Sequence, residues 1–127
     1  MAKHKRARRP LRVPRLADLA ERSGEFDRLF YRGSSGCQPG VWIEVRKGGL
    51  EAYFRVGAEP IDKNFGYNPF GPEKSRITYL SIRETDTPVL YGKWDPRELT
   101  NRPRHTFLED PPEVVDLAKL VVKYFGR

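Results

Sequence analysis

Residues 41–56, VWIEVRKGGLEAYFRV, constrain the fold more tightly than any other stretch of the chain. Two runs rich in β-branched and aromatic residues flank Gly48-Gly49. That is the pattern of a β-hairpin closed by a two-residue turn, because both turn positions need positive φ and glycine reaches it most cheaply. The turn fixes the cross-strand partners. Val45 faces Ala52, Ile43 faces Phe54 and Val41 faces Val56, so one face is wholly apolar. On the other face Arg46 meets Glu51, Glu44 meets Tyr53 and Trp42 meets Arg55, giving an opposite-charge pair and an Arg–Trp pair. A slip of one residue would mix the faces, so the register is well specified.

A chain of 127 residues is one domain's worth and can bury a core. No apolar run approaches the ~18–20 residues needed to span a bilayer. The basic start lacks an apolar h-region, so a secretory signal is not expected, and Pro10 and Pro14 break the amphipathic helix of a transit peptide. The single cysteine, Cys37, excludes an internal disulfide and fits a reducing, cytoplasmic setting. It lies in a Gly/Ser loop and is read as incidental.

The charge is unevenly placed. Residues 1–15 hold Lys3, Lys5, Arg6, Arg8, Arg9, Arg12 and Arg15 and no acid. Taking those seven from the 24 basic residues leaves 17 against 17 acidic ones, so the formal +7 resides in this segment and the rest is neutral. Few apolar groups are present to offset the entropy of ordering it, and a disordered or extended arm is expected. The chain therefore divides into a basic arm, 1–15, and a single α+β domain, 16–127.

Along that domain, Leu16, Leu19, Ala20, Phe26, Leu29 and Phe30 leave one stripe, so 16–32 reads as helical with a break at Ser23-Gly24. Residues 33–40 are a loop by composition. Residues 57–74 carry three prolines and three glycines without a period and also read as a loop, with Phe65, Tyr67 and Phe70 available to pin it to the body. Residues 75–83 and 88–94 form a second strand pair joined through Glu84-Thr85-Asp86-Thr87. Ile77, Tyr79, Leu80 and Ile82 fall on both faces, which suggests a central strand covered on both sides. A polar segment, 95–109, leads to a helix over 111–125. There Asp110 is placed to N-cap, Glu113 to complete a capping box and Gly126 to end the helix. The expected architecture is a small, mainly antiparallel sheet of about four strands packed by the C-terminal helix, with the N-terminal helix beside it.

Three constellations bear on chemistry. The arm is the first. Arginine outnumbers lysine five to two there, and arginine binds phosphate bidentately and stacks on bases, which favours nucleic acid. The outer hairpin face is the second. Trp42, Tyr53, Arg46 and Arg55 share it, and aromatics flanked by arginines on a sheet can stack unpaired bases, although cross-strand packing explains them as simply. The third is the 102–105 segment, where Arg102 and Arg104 form either a further phosphate-contacting patch or a polar loop.

Enzyme signatures are thin. No spacing of His, Cys or carboxylates fits a metal site, and no glycine-rich loop cradles a cofactor phosphate. Tyr31-Arg32-Gly33-Ser34-Ser35 is faintly similar to the first NAD-contacting motif of ADP-ribosyltransferases. The family's later acidic motif has no counterpart, since Glu109 and Glu113 stand at a helix start where capping explains them, and the resemblance is set aside. A metal-free ribonuclease using His105, Glu109 and Arg102 or Arg104 is a further arrangement of the same residues.

These features lead to a non-enzymatic nucleic-acid-binding protein of an RNA or DNA assembly, with RNA slightly favoured, no cofactor and no membrane or small-molecule partner. The alternative is a protein–protein interaction module, a regulator or particle component, which the arm only steers.

Overall fold

The alternation of residues 41–56 is realised pair by pair. In the computed structural model, which describes residues 11–34, 40–98 and 104–127, the elements are α1 (Val13–Arg22), β1 (Arg28–Ser34), β2 (Val41–Lys47), β3 (Leu50–Ile61), β4 (Ser75–Glu84), β5 (Leu90–Trp94) and α2 (Pro112–Phe125). All five strands form one antiparallel meander in chain order. β2 and β3 pair in the expected register, from Val41 opposite Val56 to Arg46 opposite Glu51. Gly48 and Gly49 take φ of 56° and 80°, a turn both glycines are needed for.

The apolar face of the hairpin lies under the two helices. Ile43, Val45, Ala52, Phe54 and Val56 are fully buried. α2 supplies Val114, Leu117, Ala118, Val121 and Phe125, a stripe at helical spacing. Phe125 meets Phe54 at a ring distance of 4.9 Å and Phe26 at 6.4 Å. α1 adds Val13, Leu16, Ala17 and Ala20 along its own stripe. Its outer side carries Arg15 and Arg22, both paired with Asp18. Among the described residues no helix is long and apolar enough to cross a membrane.

Four local expectations are corrected. The 16–32 segment is not helical throughout. Helix α1 stops at Arg22, Gly24 turns with φ of 71°, and Arg28–Ser34 joins the edge of β2 as a strand. Phe26, Leu29 and Phe30 have helical i, i+3, i+4 spacing, but pairing with the open edge of β2 overrides it, and the sheet has five strands rather than four. Second, the 57–74 loop is shorter, because β3 continues to Ile61. Pro60 is tolerated there since β2 starts opposite Val56, so Pro60 lies past the β2 ladder. Third, β4 is not apolar on both sides. Thr78 is an extra residue between the Val56–Ile77 and Arg55–Tyr79 pairs, a β-bulge that reverses the alternation. It places Ile77 with Leu80 and Ile82 on the helix side and Tyr79 on the other.

Fourth, α2 begins at Pro112 with Pro111 as its N-cap and no side-chain cap bond. The Asp110 carboxylate is engaged by His105, Nε2 to Oδ2 at 2.6 Å. Gly126 does end the helix.

The remaining loop packs on itself as expected of an irregular segment rich in aromatics. Tyr67 is buried against Trp94 and Phe107, donates its hydroxyl to the Thr106 carbonyl at 2.6 Å, and Phe70 packs beside it. Phe65 does not pin the loop and stays 53% exposed.

At the end of the sheet where β2 begins, Arg76 is fully buried among carbonyls. Its Nε donates to Gly57 at 2.9 Å, and Nη1 donates to Leu11 and to the main-chain oxygen of Arg127. Burial lowers its pKa. This one side chain ties the segment entering α1 to the end of α2 and to β3.

Candidate functional site

The sheet face opposite the helices is where alternation puts every second residue of the five strands. Its centre is aromatic. Trp42 and Tyr53 stack nearly parallel, with centroids 4.8 Å apart and 9° between planes. Tyr79 meets both edge-on, at 5.3 and 6.3 Å. All three rings are half-buried. Trp42 lies opposite Arg55 as expected and also stacks on Tyr53. Arg55 lies opposite Trp42 in register, but its Nη1 donates to Thr78 Oγ1 at 2.7 Å. The diagonal Trp42–Tyr53 contact is within reach on neighbouring antiparallel strands, and the bulge at Thr78 offers the guanidinium its acceptor. Burial raises the Tyr53 pKa, with Tyr79 adding to that, so its phenol is neutral in the physiological range.

One flank is an ionic ladder across four strands. Glu44 accepts Arg32 at 3.2 Å and pairs with Arg46 at 3.4 Å; Glu51 pairs with Arg46 at 3.4 Å and with Arg83 at 3.5 Å. Three arginines against two glutamates leave one net positive charge. The Arg32 and Arg46 guanidiniums also lie over the Phe30 ring, at 4.9 and 5.1 Å. Arg46 is therefore engaged by two carboxylates rather than presented alone.

The other sequence-derived residues are dispersed. Lys3, Lys5, Arg6, Arg8, Arg9 and Arg102 lie outside the described residues. Arg12 is the N-cap residue of α1 and Arg15 lies within its first turn, so these two cations belong to the helix. Leu11 and Arg12 share a cavity of about 250 Å³ with Gly40, Val41 and Ala58, which sets the root of the arm beside the start of β2. Arg104 does not face the aromatic tier. It donates to the carbonyls of Asn64 and Pro96 at 2.6 and 3.1 Å and lies over Trp94. The structure thus joins Trp42, Tyr53, Arg46 and Arg55, and it separates Arg104 from them. Sequence reasoning missed Tyr79, Arg32 and Arg83. Tyr79 was hidden by the bulge, and Arg32 by the helical reading of β1.

Among the described residues no three His, Cys, Asp or Glu side chains group as metal ligands. His105 reaches Asp110, packs edge-on against Phe107 and fills the space beside Gly92. Comparison with protein-family models, with curated proteins and with solved structures finds no match.

Proposed function

We propose that this chain is a non-enzymatic nucleic-acid-binding protein, an accessory component of a nucleoprotein assembly, with single-stranded RNA preferred over DNA. The observation that carries the reading is the placement of seven cations and no acid in the first fifteen residues, ahead of a body of zero formal charge. Such an arm neutralises backbone phosphates and releases their counterions. The body then supplies register, since phosphate contacts position a strand while other contacts discriminate. The open aromatic tier suits that task. A stack of parallel rings is extended by an unpaired base, whereas a duplex keeps its bases stacked internally.

The test is a salt titration of binding to single-stranded RNA, duplex DNA and an uncharged polymer. Intact protein is compared with a variant carrying Gln at Lys3, Lys5, Arg6, Arg8 and Arg9, which leaves α1 and the Leu11–Arg76 bond in place. Binding with a log–log slope of roughly −0.7 per phosphate on single strands, lost in the variant, supports the reading. Absence of binding by intact protein at low salt overturns it.

A second reading rests on the Arg32–Glu44–Arg46–Glu51–Arg83 ladder, whose near-neutral surface also suits a protein partner. Under it, the arm variant keeps its partner and changes only the association rate.

A further inference from the structure

Next to the aromatic tier the sheet borders a cavity of about 260 Å³, lined by Arg55, Ile61, Phe65, Thr78, Pro96 and Arg97. Those residues come from three places: the strands β3 and β4, the loop after β3, and the segment after β5. That volume lies just below the ~300–1,000 Å³ of clefts for drug-sized ligands, the scale of a single nucleotide unit. Its lining is of two kinds. Ile61, Phe65 and Pro96 are apolar, and the Phe65 ring is more than half exposed. Arg55 and Arg97 are cationic. Arg55 is anchored to the Thr78 hydroxyl at 2.7 Å, and Arg97 is oriented by Asp95, whose Oδ1 accepts its Nε at 3.2 Å and its backbone N–H at 3.0 Å.

A lone exposed phenylalanine is ordinary. Here it borders a cavity with two like charges. Burial lowers the Arg55 pKa, and the positive charge of Arg97 lowers it further, while Asp95 pairs with Arg97 at 3.2 Å. Guanidinium forks bind phosphate oxygens bidentately, and two of them line this cavity. An apolar ring beside an anion seat is the recognition chemistry of a base with its phosphate. The site is also continuous with the tier, because Arg55 pairs in register with both Trp42 and Tyr79.

We propose that this cavity takes one nucleotide of a single strand, its base against Phe65 and Pro96 and its phosphate between Arg55 and Arg97. This rests on the nucleic-acid reading and specifies where a strand leaving the aromatic tier is held.

Two measurements test it on the full chain. In the first, isotope-labelled protein is titrated with AMP and, separately, with inorganic phosphate, following the amides of Phe65, Thr78 and Arg97. In the second, the affinity of a short single-stranded RNA is measured for intact protein, Phe65→Ala and Arg97→Gln. Both side chains are exposed, and thermal melts verify that the variants fold. The expected results are AMP-dependent shifts at those amides, a roughly 5- to 100-fold weaker RNA complex for Phe65→Ala at unchanged salt slope, and a slope shallower by about 0.7 for Arg97→Gln. Equal shifts with inorganic phosphate alone overturn the base seat. Unmoved amides, or Phe65→Ala binding as tightly as intact protein, overturn the site while the nucleic-acid reading stands. Intact protein that binds no RNA overturns both.

Discussion

On the helix side of the sheet Ile43, Val45, Ala52, Phe54 and Val56 are fully covered. On the other side Trp42, Glu44, Arg46, Glu51 and Tyr53, the alternate residues of the same two strands, keep part of their surface in water. The covered face is held by burial, at roughly 25 cal/mol per Å² of apolar surface. The open face is held by ring stacking and an ionic ladder, each contact contributing about 1 kcal/mol or less. The lesson is that one pair of strands divides its labour by parity: one face is built to fold, and the other can change without unfolding the chain.

That division is easiest to break from the covered side. Phe54→Ala leaves a cavity against Phe125 and is expected to cost about 3–5 kcal/mol by denaturant titration. A loss below about 1 kcal/mol would mean the two faces do not differ as described. Arg76→Met strands the carbonyls of Gly57, Leu11 and Arg127 at the end of the sheet, with an expected loss of about 1–3 kcal/mol. Trp42→Ala sharpens the contrast. It should lower affinity for single-stranded RNA by about 1–3 kcal/mol, and lower stability by less than the Phe54 change does, about 3 kcal/mol at most, since it loses the Tyr53 stack, the edge contact with Tyr79 and partial burial. Lowered stability with unchanged RNA affinity would assign Trp42 to packing alone.

A pH comparison separates a core tyrosine from the rest. Burial, reinforced by the negative charge of Asp110, pushes Tyr67 well above its ordinary value of 10.0. A raised folded pKa means the neutral phenol's contribution is complete below about 10, the unfolded value, and fades as pH rises beyond it. Alkaline unfolding should therefore be steeper for wild type than for Tyr67→Phe; identical curves would remove Tyr67 as the source. The smallest effect belongs to the open face. Glu51→Gln breaks the ladder between Arg46 and Arg83 and should change stability by less than about 1 kcal/mol, less still in high salt.

Much of this was legible in the chain, for reasons that differ by residue. The hairpin was readable because Gly48-Gly49 fixes a turn and the turn fixes every pair after it. The α2 stripe from Val114 to Phe125 was readable because its period is unambiguous. Phe26, Leu29 and Phe30 were not, because their i, i+3, i+4 spacing is helical while pairing with β2 draws 28–34 into the sheet. The candidate site was legible by half. Trp42, Tyr53, Arg46 and Arg55 share a face by simple alternation within one hairpin. Tyr79 joins them through a bulge that no residue type announces, and Arg104 leaves them because carbonyls of Asn64 and Pro96, distant in sequence, capture it.

The sequence by itself determined the turn, the register of β2 on β3, the α2 stripe and the concentration of charge in residues 1–15, because each follows from local sterics, periodicity or composition. The tertiary structure alone decided that 28–34 is a strand, that Thr78 is bulged, that Asp110 serves His105 instead of capping α2, and that Phe65 and Arg97 border one cavity. Those outcomes depend on which unpaired backbone groups, carbonyls and charges arrive from elsewhere in the chain, and that competition is settled only when the sheet closes.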